Sequence, residues 1–395
     1  MKQQLADDVV IVAARRTAMG SFLGSLASVP APALAAATIK ALLEDSAIAP
    51  ESIDEVLLGC VLQAGIGQAP ARQATLAAGL PLSVGATTVN KVCGSGLKTV
   101  MQAYDMIKAG SANTVIAGGM ESMSRAPYIM DKARTGQRMG HGKLYDHMFA
   151  DGLEDAYTGS SMGSFAQQTA DEFGISREAM DAWAIQSLAR ANRAIAEGDF
   201  QQEIVDVVIA GRQGEAVVNV DEQPSRAKPE KIPTLKPAFT KDGTITAANS
   251  SSISDGAASV LLMKRSQAEQ LQLPILATIR GTASHAQEPA LFTTAPIGAL
   301  NKLFKQLEWT ADCVDLYEIN EAFAMVTMLA VDQLALNAER VNVNGGACAL
   351  GHPIGCSGAR LLVTLIHALR LRGLTRGIAT LCIGGGEAVA VAIEV

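Results

Sequence analysis

A cysteine followed at once by glycine, serine and glycine is the first feature of the chain that could carry chemistry. Cys93 lies between an apolar run and a helical pattern in NKVCGSGLKTV, residues 90–100. At such a strand-to-helix junction its sulfur would face the positive end of a helix dipole, which lowers a thiol pKa and favours the thiolate. The glycines would let another molecule approach the backbone. The stretch therefore predicts a reachable nucleophile, and a buried cysteine beside a tight turn stays open as the alternative.

A thiol nucleophile needs a base, and the chain has five histidines. His352 is the best candidate, because ALGHPIGCSG (349–358) holds it between Gly351 and Pro353 on a constrained loop ahead of a helix. The other four lie in polar stretches or in an apolar helical run, where a solvated or core histidine is expected. In chain order they are His141 and His147, both predicted to be solvated, then His285 and the helical His367.

A second cysteine also precedes glycines. Cys382 runs into Gly384 and its two neighbours in CIGGGEA (382–388), where exposed backbone N–H groups could serve an oxyanion. The triplet Cys348, His352 and Cys356 has C-x3-H-x3-C spacing, but it has no fourth ligand nearby and a proline interrupts any helix. The sequence therefore predicts no metal site.

Composition limits the class of protein. The 395 residues allow two or three domains, and the net charge of −7 argues against nucleic-acid and anionic-membrane partners. No apolar run approaches the ~20 residues that a membrane span needs. The beginning of the chain resembles neither a signal nor a transit peptide, and the six cysteines form no C-x-x-C. We therefore expect a cytoplasmic protein without a membrane partner.

The elements that must position these residues follow an α/β pattern. Strand-length apolar runs at 9–14, 55–63 and 114–120 alternate with a helical face that ends at Gly110. This alternation is typical of a parallel sheet with helical crossovers. The order CGSG, helix, TVIAGGMES in the first half recurs as GCSG, helix, TLCIGGGEA in the second, which predicts an internal duplication. Between the halves, a helix that begins at Ser176 and ends at Gly198 lies in a loop-rich insertion.

Four of these stretches together resemble the signature blocks of the thiolases. The blocks are NKVCGSGLK, NEAFA (320–324), NVNGGACALGHPIGCSGAR (342–360) and CIGGGEA, and the resemblance runs nearly end to end. It implies an α/β, five-layer αβαβα fold of two duplicated α/β domains plus an inserted loop domain. The implied division is 1–120 with 246–275, then the inserted 121–245, then 276–395.

The resemblance also implies an activity and roles. Thiolases join two acyl-CoA molecules, acetyl-CoA first among them, or cleave 3-ketoacyl-CoA in reverse. Cys93 would be the nucleophile, His352 would activate it, and Cys382 would exchange a proton with the α-carbon. Asn320 would hold a water of one oxyanion hole, and the N–H groups of Cys93 and Gly384 would form the other. The implied cofactor requirement is none beyond coenzyme A as co-substrate.

Acyl-CoA-binding residues can be matched as well, with departures. The resemblance places Ser251, Met162, Phe292 and Phe323 at the acyl-CoA site, and Arg226 is a candidate for the phosphates, with a solvated basic loop equally open. Phe292 stands where relatives often have methionine, which predicts a preference for short chains. Glu387 stands where an uncharged residue is common and is expected to be solvent-facing or paired.

Two other functions stay open: a degradative thiolase of broader chain length in fatty acid metabolism, and a silent thiolase-fold scaffold subunit. The scaffold is disfavoured because the chain retains Cys93, Asn320, His352 and Cys382 together. The resemblance also implies a homo-oligomer, a dimer of dimers, with 125–147 in the loop that joins subunits, although this loop could be a solvated connection.

Overall fold

The computed structural model describes residues 7–211 and 214–395. Its strands are β1 Val9–Thr17, β2 Gly20–Ser21, β3 Glu55–Gly59, β4 Gly85–Val89, β5 Thr114–Ser122, β6 Tyr128–Ile129, β7 Tyr145–Asp146, β8 Ile204–Val205, β9 Val207–Gly211, β10 Gly214–Val218, β11 Ser254–Lys264, β12 Ala277–Ala286, β13 Leu316–Ile319, β14 Arg376–Ile383 and β15 Glu387–Glu394. Its α-helices are α1 Ala31–Ser46, α2 Pro70–Ala77, α3 Ser95–Ala109, α4 Met162–Glu172, α5 Arg177–Glu197, α6 Glu222–Arg226, α7 Arg265–Gln270, α8 Ala295–Leu307, α9 Ala324–Gln333, α10 Ala347–Leu350 and α11 Ser357–Arg372.

The main sheet contains both parallel and antiparallel pairs. Its order is β13-β14-β15-β12-β1-β11-β5-β3-β4, with β2 and β8 attached at the side. Among the strands of the described residues, the parallel pairs are β3–β4, β3–β5, β13–β14 and the short β1–β8. The prediction of a parallel sheet is therefore wrong for the middle of the sheet. There β11 returns from the insertion and β15 from a tight turn, and such returns reverse a strand.

Helices cover the two parts of this sheet in five layers. One cluster of buried apolar side chains lies between α1 and α2 and the part formed by β1, β3, β5 and β11. A second lies between that part and the part formed by β12, β14 and β15, with α3 and α11 in its middle. A third lies under α8 and α9 on the far side. The predicted αβαβα fold is thus confirmed, with α3 and α11 as the central layer.

The two central helices meet backbone to backbone at their first turns. A Cβ on Gly96 would lie 2.9 Å from Ala359 N, and one on Gly358 would lie 2.5 Å from Leu97 N. No larger residue fits at such a crossing without a shift. The sequence interpretation is corrected at the second glycine after Cys93, because the backbone of α11, and not a ligand, approaches Gly96. The loops that precede α3 and α11 are thereby held side by side.

The insertion carries the longest helix. Ser176 Oγ accepts from Ala179 N–H and Gly198 ends the helix in a left-handed conformation, as the sequence predicts. The helix packs beside α9 and α10, so the insertion is fastened to the second half. The domain bounds given above stay a prediction. Among the described residues, no helix is long and apolar enough to cross a membrane.

Candidate active site

Cys93 lies in the turn that enters α3. Two backbone N–H groups face its sulfur, its own and that of Gly384 in the turn after β14. The residue before it, Val92, has φ 45°, a left-handed conformation that a β-branched side chain rarely adopts. Such strain persists only where the surroundings enforce it, and it is common at functional sites. The turn therefore presents a partly buried thiol to two fixed donors.

Burial raises the pKa of the Cys93 thiol to about 11, against the opposing effect of the Gly384 and Cys93 N–H groups. The predicted lowering of this pKa is therefore wrong. Cys93 precedes the helix, whose first residue is Ser95, and packs beside an apolar cluster that includes Leu62, Met148 and Ile354. Desolvation therefore outweighs the two N–H donors at this position. The resting residue is a neutral thiol that needs a base at the moment of reaction.

His352 is held by a hydroxyl on α11. Its Nδ1 lies 2.5 Å from Ser357 Oγ, and that hydroxyl donates to Pro353 O at 2.9 Å. A serine has one O–H, so Ser357 must accept the second hydrogen bond, and the hydrogen of the imidazole lies on Nδ1. The lone pair of the ring is then on Nε2. His352 N–H also donates to Ser252 O at 3.0 Å, which fixes the loop.

The environment keeps this imidazole neutral. Burial, and then the charge of Arg360, lower the pKa of His352 to about 3. Asn320 Nδ2 lies 3.5 Å from His352 Nε2, which is long for a hydrogen bond. Asn320 Oδ1 is buried and has no partner among the described residues, a state that usually marks a place for water or ligand. His352 and Asn320 thus frame one side of the site.

Cys382 completes the group at the end of β14. The side chain is fully buried, and burial, followed by the nearby Cys93, raises the pKa of its thiol well above the ordinary value. It belongs to an apolar cluster with Phe292 and Phe323, against which Met162 packs. Met162 also lies close to Gly384, since a Cβ there would be 3.4 Å from its sulfur. Three of the predicted acyl-CoA-binding residues therefore surround this thiol.

The other two predicted binding residues are not members of this apolar cluster, and they differ in their distance from it. Ser251 N–H donates to Ala322 O at 2.9 Å, beside the bridge between Ser250 and Phe323, so it reaches the site through its backbone. Arg226 is 56% exposed and pairs with Glu222 at 2.6 Å, four residues earlier on α6. The structure therefore does not bring Arg226 to the thiols.

Glu121 is a residue that sequence reasoning missed. Its carboxylate is buried at the end of β5 and accepts from the N–H groups of Val61, Leu62 and Gly355 at 3.0, 3.1 and 2.9 Å. It thereby joins a loop of the first half to the loop of His352. Burial raises the pKa of Glu121 to about 7 against these hydrogen bonds. Its only sequence signal is an acidic residue that directly follows the apolar run 114–120.

A second missed carboxylate belongs to Glu321, the residue directly after Asn320. Glu321 accepts from Trp183 Nε1 at 2.9 Å and Ser187 Oγ at 2.8 Å on α5, and from Asn342 Nδ2 at 3.1 Å. It also accepts from the Cys348 N–H, 3.1 Å away. The insertion therefore braces the NEAFA loop. Glu321 lies within that quoted block, so the signal was present but unused.

The remaining ionisable residues give mixed outcomes. His147 is buried, with Nδ1 2.6 Å from Asp151 and Nε2 accepting from Ala64 N–H at 3.2 Å, so the prediction of a solvated residue is wrong. His147 fixes the end of the 125–147 loop, and the sequence cannot reveal these contacts with Asp151 and Ala64. His367 Nε2 contacts Ala14 O at 3.0 Å in the core, as expected. Within the described part of the chain, no three His, Cys, Asp or Glu residues are placed to hold a metal ion.

Comparison with known proteins gives consistent findings. Family profiles described as "Thiolase, N-terminal domain" and "Thiolase, C-terminal domain" match residues 9–266 and 273–395. An "Acetyl-CoA acetyltransferase" of Pseudomonas aeruginosa is 50% identical over 388 residues, 98% of this chain and 99% of that protein. The crystal structure of the Bacillus anthracis acetyl-CoA acetyltransferase superposes with TM-score 0.96 at 40% identity, covering 98% of this chain and 99% of that one. An Ascaris suum thiolase in complex with coenzyme A does so with TM-score 0.92 at 40% identity and the same coverage.

Proposed function

The chain belongs to the thiolase family and is an acyltransferase, and we propose that it joins two acetyl-CoA molecules into acetoacetyl-CoA and CoA through an acyl group on Cys93. The same catalyst runs the reverse thiolysis. A Claisen condensation needs a covalent acyl carrier, a base for a weakly acidic C–H, and donors for two oxyanions. The Cys93 thiol can carry the acyl group, and the Cys382 thiol can exchange the C–H proton. The His352 imidazole and the N–H groups around Cys93 can face the oxyanions.

In the first step Cys93 takes the acetyl group. Its sulfur attacks the thioester carbon while His352 Nε2 accepts the thiol proton, and the oxyanion faces the Cys93 and Gly384 N–H groups. The bond to the CoA sulfur then breaks, and Cys382 gives its proton to that sulfur. The acyl-enzyme is left with an imidazolium at His352 and a thiolate at Cys382. Both charges are made in a desolvated site, where their mutual attraction is strong.

In the second step the Cys382 thiolate and the His352 imidazolium return to their neutral forms. The Cys382 thiolate removes a proton from the α-carbon of a second acetyl-CoA, and the high pKa of this thiol makes its thiolate a strong base. The enolate oxygen lies against His352 Nε2–H and the Asn320 side. Its carbon attacks the acyl group, the bond to Cys93 breaks, and the Cys93 sulfur recovers its proton from His352. Protons and electrons balance over the cycle.

One observation carries this proposal: the partly buried Cys93 thiol of the first half lies beside the buried Cys382 thiol of the second, with the Gly384 N–H against the first. The neutral His352 with its lone pair on Nε2 is the base that such a pair requires. A silent scaffold has no chemical need for this arrangement, which argues against that alternative.

The test follows acetoacetyl-CoA enolate absorbance with and without CoA. We expect CoA-dependent loss of the signal in the wild type, no activity in C93S, and an acetyl adduct on the Cys93 peptide by mass spectrometry after mixing with acetyl-CoA. C313A is the matched control, since Cys313 is partly exposed and hydrogen-bonds to Thr310 instead. Activity in C93S, or no adduct, would reject the covalent course.

CoA is proposed as the co-substrate because a CoA-bound thiolase superposes closely. A homo-oligomer is proposed on two features. The edge of β4 is unpaired within the described chain, and the 125–147 loop exposes Tyr128, Met139 and Leu144.

The six cysteines are all free, which suits a reducing cytoplasm. A role in fatty acid metabolism is likewise a proposal.

A further inference from the structure

An ion pair joins the two glycine-rich turns that supply the proposed oxyanion donors. Lys91 Nζ contacts Glu387 Oε2, and the two residues are 296 positions apart in the chain. The Lys91 side chain is 23% exposed and that of Glu387 is 35% exposed, so the pair is partly shielded from solvent. The contact spans the boundary between the two halves, two residues before Cys93 and three after Gly384.

The turn that contains Lys91 fixes this residue relative to the backbone N–H of Cys93. Lys91 N–H donates to Ser95 Oγ at 2.9 Å, and Lys91 C=O accepts from Gly94 N–H at 3.0 Å. The strained Val92 lies inside this closed turn. A displacement of Lys91 therefore moves the Cys93 N–H with it.

Glu387 is fixed to the other donor in the same manner. It opens β15 and pairs in the sheet with Ile383, so the turn of Gly384, Gly385 and Gly386 is closed between the two. Gly386 C=O also accepts from Gln287 N–H at 2.8 Å. A displacement of Glu387 therefore carries the Gly384 N–H.

Apolar packing between the turns does not fix their relative position alone. A Cβ on Gly94 would lie 2.3 Å from Ile383 Cδ1, so the two turns touch and cannot approach further. Apolar contact is non-directional and resists sliding weakly. Within 90–95 and 383–387, which the structure describes completely, the Lys91–Glu387 contact is the side-chain hydrogen bond that crosses from one turn to the other, and the other polar contact is the Gly384 N–H against the Cys93 sulfur.

We propose that Lys91 and Glu387 are positioning residues that fix the separation of the Cys93 and Gly384 N–H groups. Oxyanion donors act only when both lie about 2.7–3.1 Å from the developing charge, so a small relative shift of the turns weakens one of them. The inference rests on the proposed function. It also gives Glu387, which departs from the residues common in thiolases, a role beside Lys91.

The competing interpretation is an ordinary surface ion pair, which contributes little to stability and nothing to the rate. The two differ in what a variant changes. A positioning role lowers kcat and leaves KM nearly unchanged, because the donors act on the oxyanion and not on bound substrate. A purely structural role changes the unfolding temperature without separating kcat from KM.

The experiment measures kcat, KM and the single-turnover acetylation of Cys93 for K91M, E387M, the isosteric E387Q and the charge-reversed K91E/E387K. We expect each single variant to lose about tenfold in kcat and in the acetylation rate, with KM within about twofold and the wild-type fold retained. In the reversed pair, kcat should recover to within about threefold of the wild type, since this variant restores the ion pair. The control E197M removes the exposed Arg193–Glu197 pair on α5 and should leave kcat unchanged.

Wild-type kcat in folded E387Q, or a reversed pair no better than the single variants, overturns the inference. Should a methionine variant fail to fold, E387Q and K91E/E387K decide the matter. C93S separates this inference from the proposed function. Activity in C93S means that the acyl-cysteine course fails, whereas inactive C93S with fully active ion-pair variants means that only the positioning role fails.

Discussion

Replacement of Ser357 by alanine tests how the base is held. The Ser357 hydroxyl accepts from His352 Nδ1–H at 2.5 Å while donating to Pro353 O, and both side chains are buried. In S357A the Nδ1–H has no acceptor and the tautomer is no longer fixed. The loss grows when His352 takes the proton of Cys93, because the ring is then charged.

The size of the effect follows from that charge. A buried hydrogen bond to a charged group contributes roughly 1.5–3 kcal/mol, against about 1 kcal/mol for a neutral pair. Only the difference between the two, roughly 0.5–2 kcal/mol, lowers the rate, and each 1.36 kcal/mol is about tenfold, so we expect kcat to fall roughly 2- to 30-fold in S357A. The pKa of His352, already lowered to about 3 by burial, should fall further, so lower pH should not restore activity.

The assay is thiolysis of acetoacetyl-CoA across pH 6–9, with thermal unfolding measured in parallel. Thr364→Val is the matched control, because Thr364 is a buried hydroxyl on the same helix that donates to Glu203 at 3.1 Å, remote from the thiols. It should lower stability without the loss in kcat. A kcat for S357A within twofold of the wild type would show that the hydroxyl does not orient the base.

Three further outcomes are expected. The rate of Cys93 alkylation by iodoacetamide should rise with pH without a plateau below about pH 10, because burial raises this pKa to about 11, and a plateau near neutral pH would contradict the neutral resting thiol. E121Q should remove a pH dependence of stability. Since burial raises the Glu121 pKa to about 7, wild-type stability should fall, relative to E121Q, by about 3 kcal/mol as pH rises from 4.5 to 7, and parallel unfolding curves over that range would be the contrary result. F292M should raise kcat/KM for longer 3-ketoacyl-CoA relative to acetoacetyl-CoA, because Phe292 is a wide, buried ring in the Cys382 cluster, and unchanged ratios over a chain-length series would refute the pocket argument.

The elements could be predicted because their signals are local. The helix from Ser176 to Gly198 has a capping serine and a terminal glycine in its own sequence. The β5 strand and the α11 helix are continuous apolar patterns of the right length. The convergence of Cys93, His352 and Cys382 came from resemblance to a family, since nothing local states that residues hundreds of positions apart meet.

What could not be predicted depends on contacts between distant segments. Glu121 and Glu321 look like ordinary acidic residues until the loops that they join are known. The pKa of Cys93 was misjudged because the start of a helix is visible in a sequence, whereas the desolvation that raises this pKa arises from apolar side chains elsewhere in the chain. The prediction of a parallel sheet was wrong for the same reason, because strand direction depends on where β11 and β15 return to the sheet.

The crossing of the two central helices at Gly96 and Gly358 has an evolutionary consequence. If the halves arose from one duplicated unit, that ancestor held a thiol or a base beside its helix, and neither alone completes the reaction. Two such copies placed face to face would each have needed a glycine at the shared contact, because the backbones meet there. Fusion of such copies into one chain would let them differ, one with the acyl carrier and the other with the proton exchange.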